Sequence, residues 1–108
     1  MKRFTKLFMV PATFLLIFAL AAPVVASNTA RGKELVASLG CTGCHVVDGK
    51  GGTMGPELNG VGKRMDDNMI KQKLVNPKAS NPKSIMPSYG HLPPADLEAV
   101  KEYLEYLK

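Results

Sequence analysis

Cys41 and Cys44 are the only cysteines in the chain, they stand three positions apart, and His45 follows directly; this Cys-x-x-Cys-His run limits the possible folds more than any other feature. Well ahead of it, Lys2, Arg3 and Lys6 precede an apolar run from Leu7 to Ala22, and Val24-Val25-Ala26 offers a small-residue cleavage site. That is the pattern of a cleaved export signal over residues 1–26. The alternative is a retained membrane anchor, for which the run is near the lower limit of length and is interrupted by Pro11 and Pro23. Free thiols rarely persist in an oxidising compartment, so the two cysteines of an exported chain must be bonded to something. No third cysteine stands near the cleavage site, which excludes a lipid anchor there.

The run has the form of a c-type haem attachment site. Two thiols one helical turn apart reach the two vinyl groups along one haem edge, and the adjacent imidazole is carried underneath to ligate the iron. A disulfide, a thioredoxin-like redox pair or a structural zinc site also use Cys-x-x-Cys. A redox pair of that kind needs a βαβ context that is lacking here, and zinc needs two further ligands when His91 is the one other good soft donor.

Size points the same way. Removing 26 of 108 residues leaves 82, one small domain over residues 27–108 whose protein core alone would be marginally stable. A haem supplies a large apolar surface for short helices to pack on. The segment removed carries three of the fourteen Lys and Arg and no acid, so the net charge falls from +5 to +2, and two haem propionates bring it near neutral. With no dense basic patch interleaved with aromatics, nucleic acid is not an expected partner.

The local pattern predicts an all-α domain with long loops. Ala30, Leu35, Val36 and Leu39 suit one face of a helix over residues 29–39, capped by Asn28 or Thr29 and ended by Gly40. Residues 42–63 hold seven glycines and no strand-like alternation, and read as a loop that wraps something. Asp66 and Asp67 favour a helix N-terminus, with Met69, Ile70 and Leu74 as its stripe until Pro77. Residues 76–89, with Pro77, Pro82 and Pro87, are expected to be extended, after which Pro94 opens a last helix carrying Leu97, Val100, Leu104 and Leu107.

Several short matches occur in order: Gly32 nine residues before Cys41, Gly55-Pro56-x-Leu58-x-Gly60 after the haem motif, then Arg64, Met86-Pro87 and Tyr103-Leu104. On these the chain resembles the class I, single-haem cytochromes c of the short bacterial periplasmic type, over nearly all of residues 30–107. The resemblance implies the cytochrome c fold, three to four short helices and long loops wrapped around one haem c attached through Cys41 and Cys44. It implies His45 and Met86 as axial iron ligands, the Pro56 carbonyl as acceptor for the other ring N–H of His45, and Arg64 as partner of a propionate. Gly32 and Tyr103 match the close crossing of the first and last helices. Val36 in place of an aromatic, and the absence of Trp, depart from the mitochondrial pattern and leave the second propionate with no assigned partner beyond Tyr89.

The sixth ligand decides the function, because a thioether closes the distal face whereas an empty position admits small ligands. Met1 and Met9 leave with the signal, Met54 lies in the loop expected on the proximal side, and Met65 and Met69 border the middle helix, which leaves Met86. A methionine merely filling an apolar gap is the plain alternative, and His91 is the rival ligand. The expected function is a single-electron carrier with His/Met ligation, shuttling electrons between periplasmic or membrane redox proteins, with no small-molecule substrate and no catalytic residues. Lys50, Lys63, Lys71, Lys73, Lys78 and Lys83 are either a ring that steers an acidic partner or a plain solvated surface. The competing expectation is a gas sensor or peroxidase-like enzyme with an open or labile sixth site, for which His91 is the sole distal acid–base candidate. A third is a haem subunit of a larger respiratory or dehydrogenase complex. Membrane contact then comes through that complex or through a retained N-terminal helix.

Overall fold

The structure, a computed structural model, describes residues 28–108, so the signal expected over residues 1–26 lies outside the described residues. Among them are four α-helices, two 3-10 turns and no strand: α1 (Asn28–Ser38), α2 (Val61–Arg64), α3 (Asp67–Val75) and α4 (Pro94–Tyr106), with the turns at Cys41–Gly43 and Pro77–Ala79. No helix in this part is long and apolar enough to cross a membrane.

The fold is built on the crossing of α1 and α4. α1 buries Gly32, Leu35 and Val36, spaced three and four apart, and α4 buries Ala99, Val100, Tyr103 and Leu104. At Gly32 the two backbones come so close that a Cβ there would stand 2.6 Å from Tyr103 Cβ and nearer still to the Ala99 carbonyl oxygen. The glycine thus lets the Tyr103 side chain lie against the α1 backbone, as the resemblance implied. Arg31 and Asp96 add an ion pair of 3.3 Å across the crossing. Ala30, expected on the buried face, is exposed, because the close approach centres the stripe on Gly32.

α3 packs on α4 through Ile70 and Leu74, which are almost fully buried. Each such side chain contributes about 1.5–3 kcal/mol relative to an exposed one. Asp66 caps α3, its carboxylate accepting from the Met69 N–H at 2.9 Å. Met69, expected in the apolar stripe, points outward and is 47 % exposed, so the stripe is narrower than the pattern suggested. Lys101 is a buried cation on α4, paired with Asp67 at the start of α3 and with Glu98 at 2.6 Å. Its pKa is raised by hydrogen bonds to those carboxylates, and the Lys101 ammonium in turn lowers that of Asp67.

Two further local features depart from the sequence expectations. α2 begins inside the loop expected over residues 42–63; four residues are too few to show a period, and the helix is held by tertiary contacts, buried Val61 and a bond of 2.8 Å from the Gly62 N–H to the Leu107 carbonyl. The stretch expected to be extended over residues 76–89 starts with the turn Pro77–Ala79. Its far end is tied back to α3. Tyr89 N–H donates to the Leu74 carbonyl at 2.8 Å and the Ser88 hydroxyl to the Val75 carbonyl at 2.5 Å. These carbonyls belong to the last turn of α3 and lack partners within the helix, so the loop satisfies them.

Candidate haem site

The sequence Cys41-Thr42-Gly43 forms a 3-10 turn, and both Cys44 N–H (3.2 Å) and His45 N–H (3.0 Å) return to the Cys41 carbonyl. The two thiols therefore sit one turn apart, both half-buried and neither in a disulfide. Burial pushes the Cys41 thiol above its ordinary value, the nearby Tyr89 hydroxyl opposing it. Among the described residues no three His, Cys, Asp or Glu side chains gather to hold a metal ion.

His45 is fixed from two sides. Its Nδ1–H donates to the Pro56 carbonyl at 2.6 Å, which leaves Nε2 with its lone pair free to ligate. The ring also packs against Gly55, where a Cβ would stand 2.7 Å from Nδ1 and 3.0 Å from Nε2. Gly55 N–H donates to the Cys44 carbonyl at 2.7 Å and Leu58 N–H to that of Val46 at 2.9 Å, so the glycine-rich loop is pinned to the haem motif by backbone bonds.

Two adjoining cavities open beside this imidazole, of about 240 and 250 Å³. Cys41, His45, Pro56 and Met86 line both. The first reaches inward to Val36, Leu58, Ile70, Leu74, Val100 and Leu104, with Arg64 at its border. The second is the outer one, with Cys44, Tyr89 and the exposed side chains of Met54 and Ile85. An apolar interior, two unpaired thiols at its mouth and an imidazole with one nitrogen free form a donor set that fits a covalently attached haem.

The residues singled out from sequence are thus brought together: Cys41, His45, Pro56, Arg64 and Met86 around the first cavity, Cys44 at the second. The Arg64 guanidinium donates to the carbonyls of Glu57 (2.7 Å) and Asn59 (3.0 Å). His91 lines neither cavity; it is exposed, its ring 6.4 Å from that of Tyr89. Of the six lysines considered as a ring, only Lys73 and Lys83 reach the cavity walls. Tyr89 stands beside Cys41 and lines the second cavity, whereas Arg64 lines the first; burial and then the neighbouring cysteine raise the Tyr89 pKa. The sequence reading missed Lys73, Asn81 and Ser84 as lining residues. Polar side chains on a helix or a proline-rich loop carry no signal of facing inward, although Lys73 lies three residues after buried Ile70.

The family model for cytochrome c matches residues 29–108, and the chain belongs to that family. The site accordingly holds haem c, with Cys41 and Cys44 in the attachment spacing and His45 next to them, and the protein's chemistry is haem-based electron transfer. Among curated proteins it is similar to a Cbb3-type cytochrome c oxidase subunit CcoP of Helicobacter pylori (36 % identity over 84 residues) and to a cytochrome c oxidase subunit 2 of Alkalihalophilus pseudofirmus (28 % over 86 residues). Each alignment covers 72 % of this chain but only 27 % and 25 % of those proteins, so the chain spans about a quarter of their length.

Proposed function

We propose that the protein is a single-electron carrier whose haem iron is closed by His45 on one side and Met86 on the other. The observation that carries this reading is that Met86 and His45 line both cavities together with Cys41, whereas His91 lines neither. Of the other described methionines, Met54 is 71 % exposed, Met69 lies outside both cavities, and Met65 belongs to the apolar wall next to α2. Bound haem supplies the one-electron couple. The chain's part is to hold the His45 tautomer through Pro56, to anchor the Met86 loop on the end of α3 through Ser88 and Tyr89, and to keep water from the inner cavity. Arg64, with no carboxylate in ion-pair reach among the described residues, is a propionate partner in this reading. Met54 and Ile85, apolar and exposed at the mouth near Cys44, form the contact surface for a redox protein, with Lys83 adding charge.

The test is the absorption spectrum of the matured ferric protein, followed by reduction and exposure to carbon monoxide. A weak long-wavelength Met-to-iron charge-transfer band, with no response to the gas, is expected. Loss of that band together with gas binding would overturn the reading in favour of a sensor or peroxidase-like enzyme.

The likeness to oxidase subunits favours a second version of the same chemistry, in which the chain serves as the haem subunit of a respiratory complex. In the first version the export signal is cleaved and the carrier is free in the periplasm. Cell fractionation separates the two: recovery wholly in the membrane fraction excludes the free carrier.

A further inference from the structure

Haem brings two carboxylates to the site, and Arg64 accounts for one. The other cation on the wall of the inner cavity is Lys73 of α3, half-buried, its ammonium donating to the Ser80 hydroxyl. Among the described residues no carboxylate lies within ion-pair reach of Lys73 or Arg64, whereas Arg31 and Lys101 each have two. Beside Lys73, Asn81 and Ser84 line both cavities. Each of their oxygens already accepts one backbone N–H: Asn81 Oδ1 takes the Lys83 N–H at 3.2 Å, and Ser84 Oγ takes the Met86 N–H at 3.2 Å. The Asn81 amide N–H pair and the Ser84 hydroxyl proton are available as donors. This part of the wall therefore carries one cation and two neutral donors, a combination that binds a carboxylate. Tyr89, the partner offered from sequence, stands beside Cys41 on the second cavity alone, whereas Lys73, Asn81 and Ser84 meet on the wall of the first.

We propose that Lys73, Asn81 and Ser84 hold the second haem propionate, as Arg64 holds the first. The proposal rests on the haem reading above and extends it to residues that the motifs do not mark. A cation against the propionate keeps it ionised and so keeps the iron potential independent of pH where an unpaired propionate would titrate.

The test is the reduction potential as a function of pH for the matured wild type, Lys73→Gln and Lys73→Arg, measured on protein whose covalent haem and Met band have first been verified. Wild type and Lys73→Arg are expected to be flat between about pH 5 and pH 7. In Lys73→Gln the propionate takes up a proton in that range, so the potential rises as the pH falls, with the titration point at least about one pH unit above that of the wild type. A Lys73→Gln profile that superimposes on the wild type overturns the assignment. Should Lys73→Gln not mature, Ser84→Ala and Asn81→Ala are read in the same titration: a smaller shift in the same direction supports the proposal, and two unchanged profiles overturn it. Absence of haem or of the Met band in the wild type would instead defeat the carrier reading, so the two failures are distinguishable.

Discussion

Where α1 crosses α4, side chain packs on side chain: Leu35, Val36, Val100, Tyr103 and Leu104 bury apolar surface against one another, and Gly32 lets the helices meet closely. Around His45 the construction differs. Residues 42–60 contribute Val47 to the buried core but otherwise stay mostly half-buried or exposed, and single backbone bonds and the contact of Gly55 with the imidazole hold them in place. The first region is packed protein against protein, although Val36, Val100 and Leu104 also face the inner cavity. The second is shaped around a guest and gains most of its stability from what it encloses, which stabilises only the folded form.

Removing the guest should break this contrast most completely. Replacing both Cys41 and Cys44 by serine is expected to abolish covalent haem and leave a largely disordered chain, seen as collapse of amide dispersion in NMR spectra. A haem-free chain with full native dispersion would show that the loop region needs no guest. Next in size, Tyr103→Ala in the holoprotein removes a buried aromatic at the helix crossing and should cost about 3–5 kcal/mol in denaturant unfolding. Gly55→Ala tests the other region, since its methyl group must displace the His45 ring; we expect a loss of about 1–3 kcal/mol together with a perturbed haem spectrum, which Tyr103→Ala should not show. Asp66→Ala should cost about 1 kcal/mol through the lost cap of α3 and leave the spectrum alone.

The smallest effect is in the pH dependence of the Lys101–Asp67 pair. Asp67 is lowered from its ordinary 3.8, so its contribution is present above that value and lost as the pH falls through the lower, folded one. Lys101 is raised from 10.5, so its contribution is full below 10.5 and lost only as the pH climbs through the raised value. In unfolding titrations Asp67→Asn should therefore differ from the wild type at neutral pH and converge with it in acid.

The parts of the fold legible in the sequence are those specified by neighbouring residues. The Cys-x-x-Cys-His turn, the cap at Asp66, the start of α4 at Pro94 and the spacing of Leu35, Val36, Val100 and Leu104 are local features, governed by hydrogen bonds and side-chain periods within a few positions. α2 was not legible, since its four residues depend on Leu107 at the far end of the chain. Nor was the exposure of Met69 and Ala30, because which side of a helix is buried depends on where its neighbour lies.

The same division runs through the site. The sequence by itself determined the cofactor, its two attachment points and the adjacent His45, since that chemistry needs five consecutive residues, and with the family resemblance it offered Met86 as the distal ligand that we propose. The bond from His45 to the Pro56 carbonyl, implied by the resemblance, is present; only the tertiary structure decided that Tyr89 stands at Cys41 and that Lys73, Asn81 and Ser84 meet on one cavity wall. Those arrangements join segments up to tens of residues apart, and a polar side chain carries no periodicity to announce the face it will occupy.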